Sequence, residues 1–283
     1  MFRRPATVPP PGLRGRRLAS RPLLGLLLMA AALGGCRARY AQPRSTSSAP
    51  LTVVTYNIRH GAGIDDRIDL PRTAAVLRAL GPDVVGLQEV DHRVRRSGNV
   101  AQADSLGALL GMRAAFGAFM PYQGGEYGLA ILSRHPIVRS TSVRLPDGNE
   151  PRVALVADIA LPDGDTIVVV NVHFDWVEND TLRVAQARAL TGVLDTLSRP
   201  WIILGDFNDE PGSRTLALFT ARAAEARKPE EAHFTFSSTE PTKEIDFIFA
   251  APARAWEPAT ARVVEEKVAS DHRPVVVRLG RAR

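Results

Sequence analysis

From residue 51 onward, hydrophobic positions fall into two kinds of run. Leu51-Thr52-Val53-Val54-Thr55-Tyr56-Asn57-Ile58 is rich in β-branched and aromatic residues and turns polar near its end, which predicts a strand with a polar tip. Leu70, Ala74, Leu77 and Leu80 then recur at helical spacing. Asp69-Leu70-Pro71 suits a helix start and Gly81-Pro82 a stop, so residues 70–80 are predicted to be helical. Residues 83–90 return to a continuous apolar run, a buried strand that ends in Gln88-Glu89.

The same plan recurs further along the chain. Residues 166–172 form an apolar strand leading into Asn171-Val172-His173-Phe174-Asp175. Residues 181–197 place Leu182, Ala185, Ala189, Val193 and Leu197 on or near one helical face before Pro200. Residues 201–204 form a buried strand that runs into Gly205-Asp206-Phe207-Asn208. Asn57 and Glu89 are 32 positions apart, His173 and Asp206 33. Each half is therefore strand, polar tip, helix, strand, acidic tip. With further strands around 130–132, 153–159, 245–249 and 275–279, this predicts two sheets packed face to face with helices outside. Nearly continuous apolar strands fit sheets covered on both faces. No low-complexity linker divides residues 51–283, which read as one domain.

The N-terminal segment has a different character. Residues 1–36 carry six arginines and no acid, and residues 23–33 form an apolar run of signal-sequence length, too short to span a bilayer. Leu33-Gly34-Gly35-Cys36 resembles a bacterial lipobox; an ordinary signal peptide with a chance cysteine, or a buried helix, is the other reading. Residues 37–50 read as a flexible tether. The expectation is an exported lipoprotein, anchored through Cys36 on the extracytoplasmic side of a bacterial membrane. The formal charge of +6 resides in this leader: without its six arginines, 30 basic residues face 30 acidic ones, so no bulk basic field points to a polyanion. Cys36 is the single cysteine, which excludes an intrachain disulfide.

Chemistry-bearing residues concentrate at strand ends: Asn57, Glu89, His173, Asp206, Asn208, Asp246, Asp271 and His272. Asp246 lies within the apolar run Ile245-Asp246-Phe247-Ile248-Phe249, where an isolated charge is costly and requires a partner or a metal. Ser270-Asp271-His272-Arg273-Pro274 supplies a histidine, and an Asp–His pair can orient and charge the imidazole. Carboxylates with Asn, and no Cys/His cluster, suit Mg²⁺, with Mn²⁺ the alternative, better than zinc.

Taken in order, Thr55-Tyr56-Asn57-Ile58, Gln88-Glu89-Val90, Asn171-Val172-His173-Phe174-Asp175, Gly205-Asp206-Phe207-Asn208, Ile245-Asp246-Phe247-Ile248-Phe249 and Ser270-Asp271-His272-Arg273-Pro274 resemble the motif series of the endonuclease/exonuclease/phosphatase superfamily. The resemblance spans residues 51–279 and includes Tyr127-Gly128-Leu129 and Pro151-Arg152-Val153. It implies an α+β fold, a four-layer αββα sandwich. It implies a metal at Glu89 with Asn57 and Asp271 nearby, and Asp206 activating or orienting the attacking water. Asn208 and His173 would hold phosphate oxygens, and Asp246 would pair with His272. Arg59, His60, Tyr127, Arg152 and Asp175 are the further substrate-contact candidates. The implied reaction is metal-dependent phosphoester hydrolysis by in-line attack. A neutral mature domain and a lipid anchor favour a lipid head-group or other small phosphodiester. An exported nuclease is the alternative, and a binding module without catalysis the second alternative.

Overall fold

The computed structural model describes residues 49–282. Cys36, the leader at 1–36 and the tether up to residue 48 lie outside them. Among the described residues, no helix is long and apolar enough to cross a membrane.

The first half contains β1 (Leu51–Asn57), α1 (Leu70–Leu80), β2 (Val84–His92), α2 (Gln102–Leu110), β3 (Arg113–Tyr122), β4 (Gly125–Ser133) and β5 (Ile137–Arg144). It is followed by β6 (Val153–Ala160), β7 (Thr166–His173), α3 (Thr181–Leu194), β8 (Trp201–Asp206) and α4 (Arg214–Thr220). The two-residue β9 (Ala224–Glu225) precedes β10 (Asp246–Ala251), and the two-residue β11 (Arg262–Val263) precedes β12 (Val275–Leu279). Helix α1 starts and stops where its residues demand: the Asp69 carboxylate accepts from the Arg72 N–H, and Gly81 closes the helix in the left-handed conformation.

Two six-stranded mixed sheets result, ordered β11-β12-β1-β2-β4-β3 and β5-β6-β7-β8-β10-β9. The repeated plan is visible in the pairing. β1 lies parallel to β2 and β7 parallel to β8, each pair flanked by antiparallel neighbours. Val53, Val84, Leu129 and Ile131 of one sheet meet Leu155, Val169, Leu204 and Ile248 of the other between the layers. The outer face of the first sheet packs on Ala74, Leu77, Ala103 and Leu106 of α1 and α2. That of the second packs on Ala187, Leu190, Leu216 and Phe219 of α3 and α4. The four layers are thus helix, sheet, sheet, helix.

Several elements escape the hydrophobic pattern. β5 has the mostly exposed sequence Ile137-Val138-Arg139-Ser140-Thr141-Ser142-Val143-Arg144 of an edge strand. α3 is shorter than residues 181–197, because after Leu194 the chain tightens into i→i−3 bonds, Thr196 N–H to Val193 and Leu197 N–H to Leu194. β1 carries the chain from Leu51 to Asn57 in one pass, and Asn57 stands at the end where the polar residues of both sheets gather.

Candidate active site

The two parallel pairs place their polar tips side by side. Asn57 is in register with Gln88, and His173 with Asp206. Asp206 in turn faces Asp246 across the antiparallel β8–β10 pair, so His173, Asp206 and Asp246 stand abreast on three strands. Glu89 sits in an irregularity of the β2–β4 ladder between Leu87 and Val90, with φ of 57°. A bulge re-aims its side chain, which a regular strand would send elsewhere. Asn208 (φ 50°), Arg59 (φ 45°) and His60 (φ 46°) are also left-handed non-glycine residues.

Asn57 is the hub. Its Nδ2 donates to Glu89 Oε1 and Asp206 Oδ2, each at 3.1 Å, and lies 3.5 Å from His272 Nε2. Its Oδ1 accepts from the Arg59 N–H, and its carbonyl accepts from Ser270 Oγ at 2.7 Å, tying β1 to the segment that carries His272. His272 Nδ1 is 3.0 Å from Asp246 Oδ2, and its Nε2 is 3.6 Å from Asp206 Oδ2. His173 Nε2 approaches the same Asp206 oxygen at 3.5 Å. The Thr235 hydroxyl accepts from the N–H groups of Ile245 and Asp246 and so fixes the start of β10. Asn208 donates its backbone N–H to Asp206 Oδ1 and its side-chain amide to the Phe174 carbonyl.

Asn57, His173, Asp206, Asp246 and His272 are almost fully buried, and burial and neighbouring charge together decide how the ionisable ones among them are protonated. Burial opposes a charged His272, but the charges of Asp246 and Asp206 outweigh it and hold the imidazole up to about 10. His173 is pushed well below the usual range by burial, then by the positive charges of Arg152 and His272. Its Nδ1 is buried without a partner, so the single ring proton belongs on Nε2, facing Asp206. Burial raises Asp206 to about 7 against the pull of His272. One charged and one neutral imidazole thus flank a single carboxylate.

The sequence profile of the endonuclease/exonuclease/phosphatase family matches residues 54–272. The chain belongs to that family. It is 29% identical over 258 residues to the uncharacterised protein YbhP of Escherichia coli K12, covering 82% of this chain and 97% of YbhP. Among solved structures it resembles an endonuclease/exonuclease/phosphatase from Beutenbergia cavernae, with 25% identity, a TM-score of 0.68, and 83% and 72% of the two chains covered. The mannosyl-6-phosphatase Bt3783 of Bacteroides thetaiotaomicron shares the fold at 21% identity and TM-score 0.67, over 81% of this chain and 99% of that one. The human Nocturnin catalytic domain does so at 20% and 0.63, over 85% and 98%.

Members of this family typically use divalent metals, and the donors here fit a hard cation. Glu89, partly exposed on its bulge, offers carboxylate oxygens beside the Asn57 amide and Asp206, with no thiolate among them. Among the described residues, the acid and histidine trio whose ligand atoms lie within 4.8 Å of one another is Asp206, Asp246 and His272; Glu89 and Asp271 stand outside it. In that trio His272 Nδ1 faces Asp246 Oδ2, which leaves Nε2 on the side of Asp206.

One expected contact falls elsewhere. Asp175 is fully buried, and its carboxylate accepts from the N–H groups of Asn149 and Val177, so it staples a loop and faces no substrate. The Asp271 carboxylate lies 3.9 Å from Arg59 Nε. Arg59 also pairs with Asp66 and donates to the Gly63 carbonyl, while His60 keeps a buried, unpartnered Nδ1. Tyr127 lies beside Glu89, and burial together with that carboxylate raises its hydroxyl well above the usual range. Arg152 is 1% exposed; Glu150 takes its Nη2 at 3.1 Å, whereas Nε and Nη1 have no partner. Residues absent from the sequence-based set are Thr235 and the Gln88–Asn171 pair. Only the apolar runs ending beside Gln88 and Asn171 could have signalled any of them.

Proposed function

We propose that this protein is a metal-dependent phosphoester hydrolase acting on a small phosphodiester, a lipid head-group or a soluble counterpart. The observation that carries the reading is the convergence of Asn57, Glu89, His173, Asp206 and the Asp246–His272 pair on one cleft end. Glu89 and Asn57, with Asp206 adjacent, would hold Mg²⁺ or Mn²⁺. Such an ion supplies Lewis-acid polarisation of a phosphoryl oxygen and neutralises developing charge. His272, charged through Asp246, faces the negative phosphoryl group. Asp206, whose carboxylate faces both imidazoles, would orient the attacking water and accept its proton. His173 Nε2–H and the remaining amide N–H of Asn208 are donors for the non-bridging oxygens. Arg152 adds positive potential beneath His173.

In the cell, the same reading makes the domain an exported lipoprotein held through Cys36. The test is a substrate panel given to the mature protein with and without Mg²⁺: choline and inositol phospholipids, bis-phosphodiesters, inositol phosphates, and single- and double-stranded DNA. Turnover of small phosphodiesters that disappears with chelator supports the reading. Turnover confined to DNA replaces it with an exported nuclease, and binding without turnover with a recognition module.

A further inference from the structure

Arg183 is a buried cation that its own helix disfavours. It is the third residue of α3, where the positive end of the helix dipole opposes a guanidinium, and it is 5% exposed. Tertiary partners set its place instead. Nη1 donates to the carbonyls of Asp175 at 3.0 Å and Val177 at 2.7 Å, and Nε forms an ion pair with Asp209 Oδ2 at 3.1 Å. The two carbonyls belong to the turn that leaves β7 after His173, and Asp209 to the turn that leaves β8 after Asp206. One side chain thus links the two turns that continue the polar tips.

Asn208 stands between these turns. Its side-chain amide donates one proton to the Phe174 carbonyl at 3.0 Å, its backbone N–H donates to Asp206 Oδ1 at 2.9 Å, and Asp209 is the next residue in the chain. The Phe174 carbonyl is one peptide unit before the Asp175 carbonyl that Arg183 binds. The amide plane of Asn208 is therefore set from two directions: through Asp209, which follows it, and through the acceptor of its proton. The turn after β7 is itself stapled. The Asp175 carboxylate accepts from the N–H groups of Asn149 and Val177, and the Asp175 N–H donates to Gln186 Oε1 at 2.9 Å. Arg183 carries the position of that fixed turn across to the turn that holds Asn208.

We infer that Arg183 is a positioning residue for Asn208: paired with Asp209 and bonded to the turn after His173, it fixes the direction of the second N–H of the Asn208 amide. What that N–H meets, a non-bridging phosphoryl oxygen, rests on the hydrolase reading. Arg183 itself touches no substrate. A small misplacement of a donor aimed at developing charge is enough to slow a reaction by orders of magnitude, so a buried link of this kind bears on rate more than on binding.

NMR of the mature protein labelled with ¹⁵N-asparagine follows the Asn208 side-chain amide, its signals identified by their loss in Asn208→Ala. Arg183→Lys keeps a positive charge opposite Asp209 and loses the fork that reaches the two carbonyls. The Asn208 amide signals should then move toward those of a free amide, with proton exchange about tenfold faster or more. On the substrate that responds, kcat should fall about tenfold or more while KM stays within about twofold, because the donor acts mainly in the transition state. With Asn208→Ala already in place, Arg183→Lys should cost less than about twofold, since the group it positions is gone. Unmoved Asn208 signals, or the same loss of kcat in both backgrounds, would overturn the inference. Asp209→Asn keeps the carbonyl bonds of Arg183 and removes the charge opposite it, so it serves if Arg183→Lys does not fold; the Asn208 signals should again move, and unmoved signals there would equally count against the link. Moved signals with no turnover anywhere in the substrate panel would leave Arg183 as the residue that positions this amide and sink the hydrolase reading.

Discussion

Gln88 and Asn171 join the two sheets through a buried hydrogen bond: Gln88 Nε2 donates to Asn171 Oδ1 at 2.6 Å. Asn171 Nδ2 in turn donates to the carbonyls of Leu87 and Ala130, and Gln88 also bonds Thr55. A polar cluster therefore fixes, inside an apolar interface, how the strand bearing Glu89 sits against the strand bearing His173. Replacing Asn171 with Leu leaves Gln88 Nε2 without that partner and two buried carbonyls without their side-chain donor. The expected loss is about 3 kcal/mol or more by urea unfolding. A loss under about 1 kcal/mol would show that the cluster does not hold the sheets.

Gly86 lies on the same interface. A Cβ there would come 1.8 Å from Leu204 Cδ1 and 3.1 Å from the Asn171 amide. Gly86→Ala should cost about 1–3 kcal/mol by overpacking, with the transition midpoint displaced and the denaturant slope unchanged. Wild-type stability would mean that the layers separate more easily than the packing implies.

Glu89→Gln keeps the side-chain shape and removes the charge. Activity on the responsive substrate should fall by about a hundredfold or more, and the dependence on added Mg²⁺ should weaken. Undiminished wild-type turnover in excess chelator would rule out the metal at this carboxylate.

His272 is held up to about 10, against an ordinary value of 6.5. The folded state therefore binds this proton more tightly than the unfolded chain does. The stability that results is complete below about pH 6.5 and is lost as pH rises through 10. Asp246→Asn should lower the His272 titration midpoint and reduce this loss, as followed by NMR of the ring carbon signals. An unchanged midpoint would mean that Asp246 does not charge the ring. In activity, Asp246→Asn, His272→Asn and the double substitution should cost nearly the same, because the pair acts as a unit.

Cys36→Ser removes the residue expected to carry the lipid. The wild-type protein should partition into the detergent phase and resist release by salt, and the variant should move to the aqueous phase. Recovery of an unmodified wild-type thiol in soluble protein would remove the anchor.

Much of this architecture is legible in the chain because the duplicated modules are long apolar runs, and their polar tips become neighbours once β1 meets β2 and β7 meets β8. Asp246 was recognisable because an acid among Ile245, Phe247 and Ile248 demands a partner. Asp175 misleads for the same reason: an acid at a strand end looks like chemistry, whereas its oxygens serve backbone N–H groups. The aim of Glu89 depends on a bulge that no residue pattern announces. Arg96 finds its stacking partners only when the β3–β4 hairpin brings Tyr122 and Tyr127 beneath it. β5, polar and at an edge, has no pattern strong enough to mark it.

The direction of β1 bears on how the site is held. The chain enters the domain at Leu51 and arrives at Asn57 six residues later, about 20 Å away along the strand. The point of entry and the gathered polar tips therefore stand at opposite ends of one strand, so a disturbance at Leu51 bears on the site only through the whole length of β1, whose far end is pinned by the hydrogen bond from the Ser270 hydroxyl to the Asn57 carbonyl.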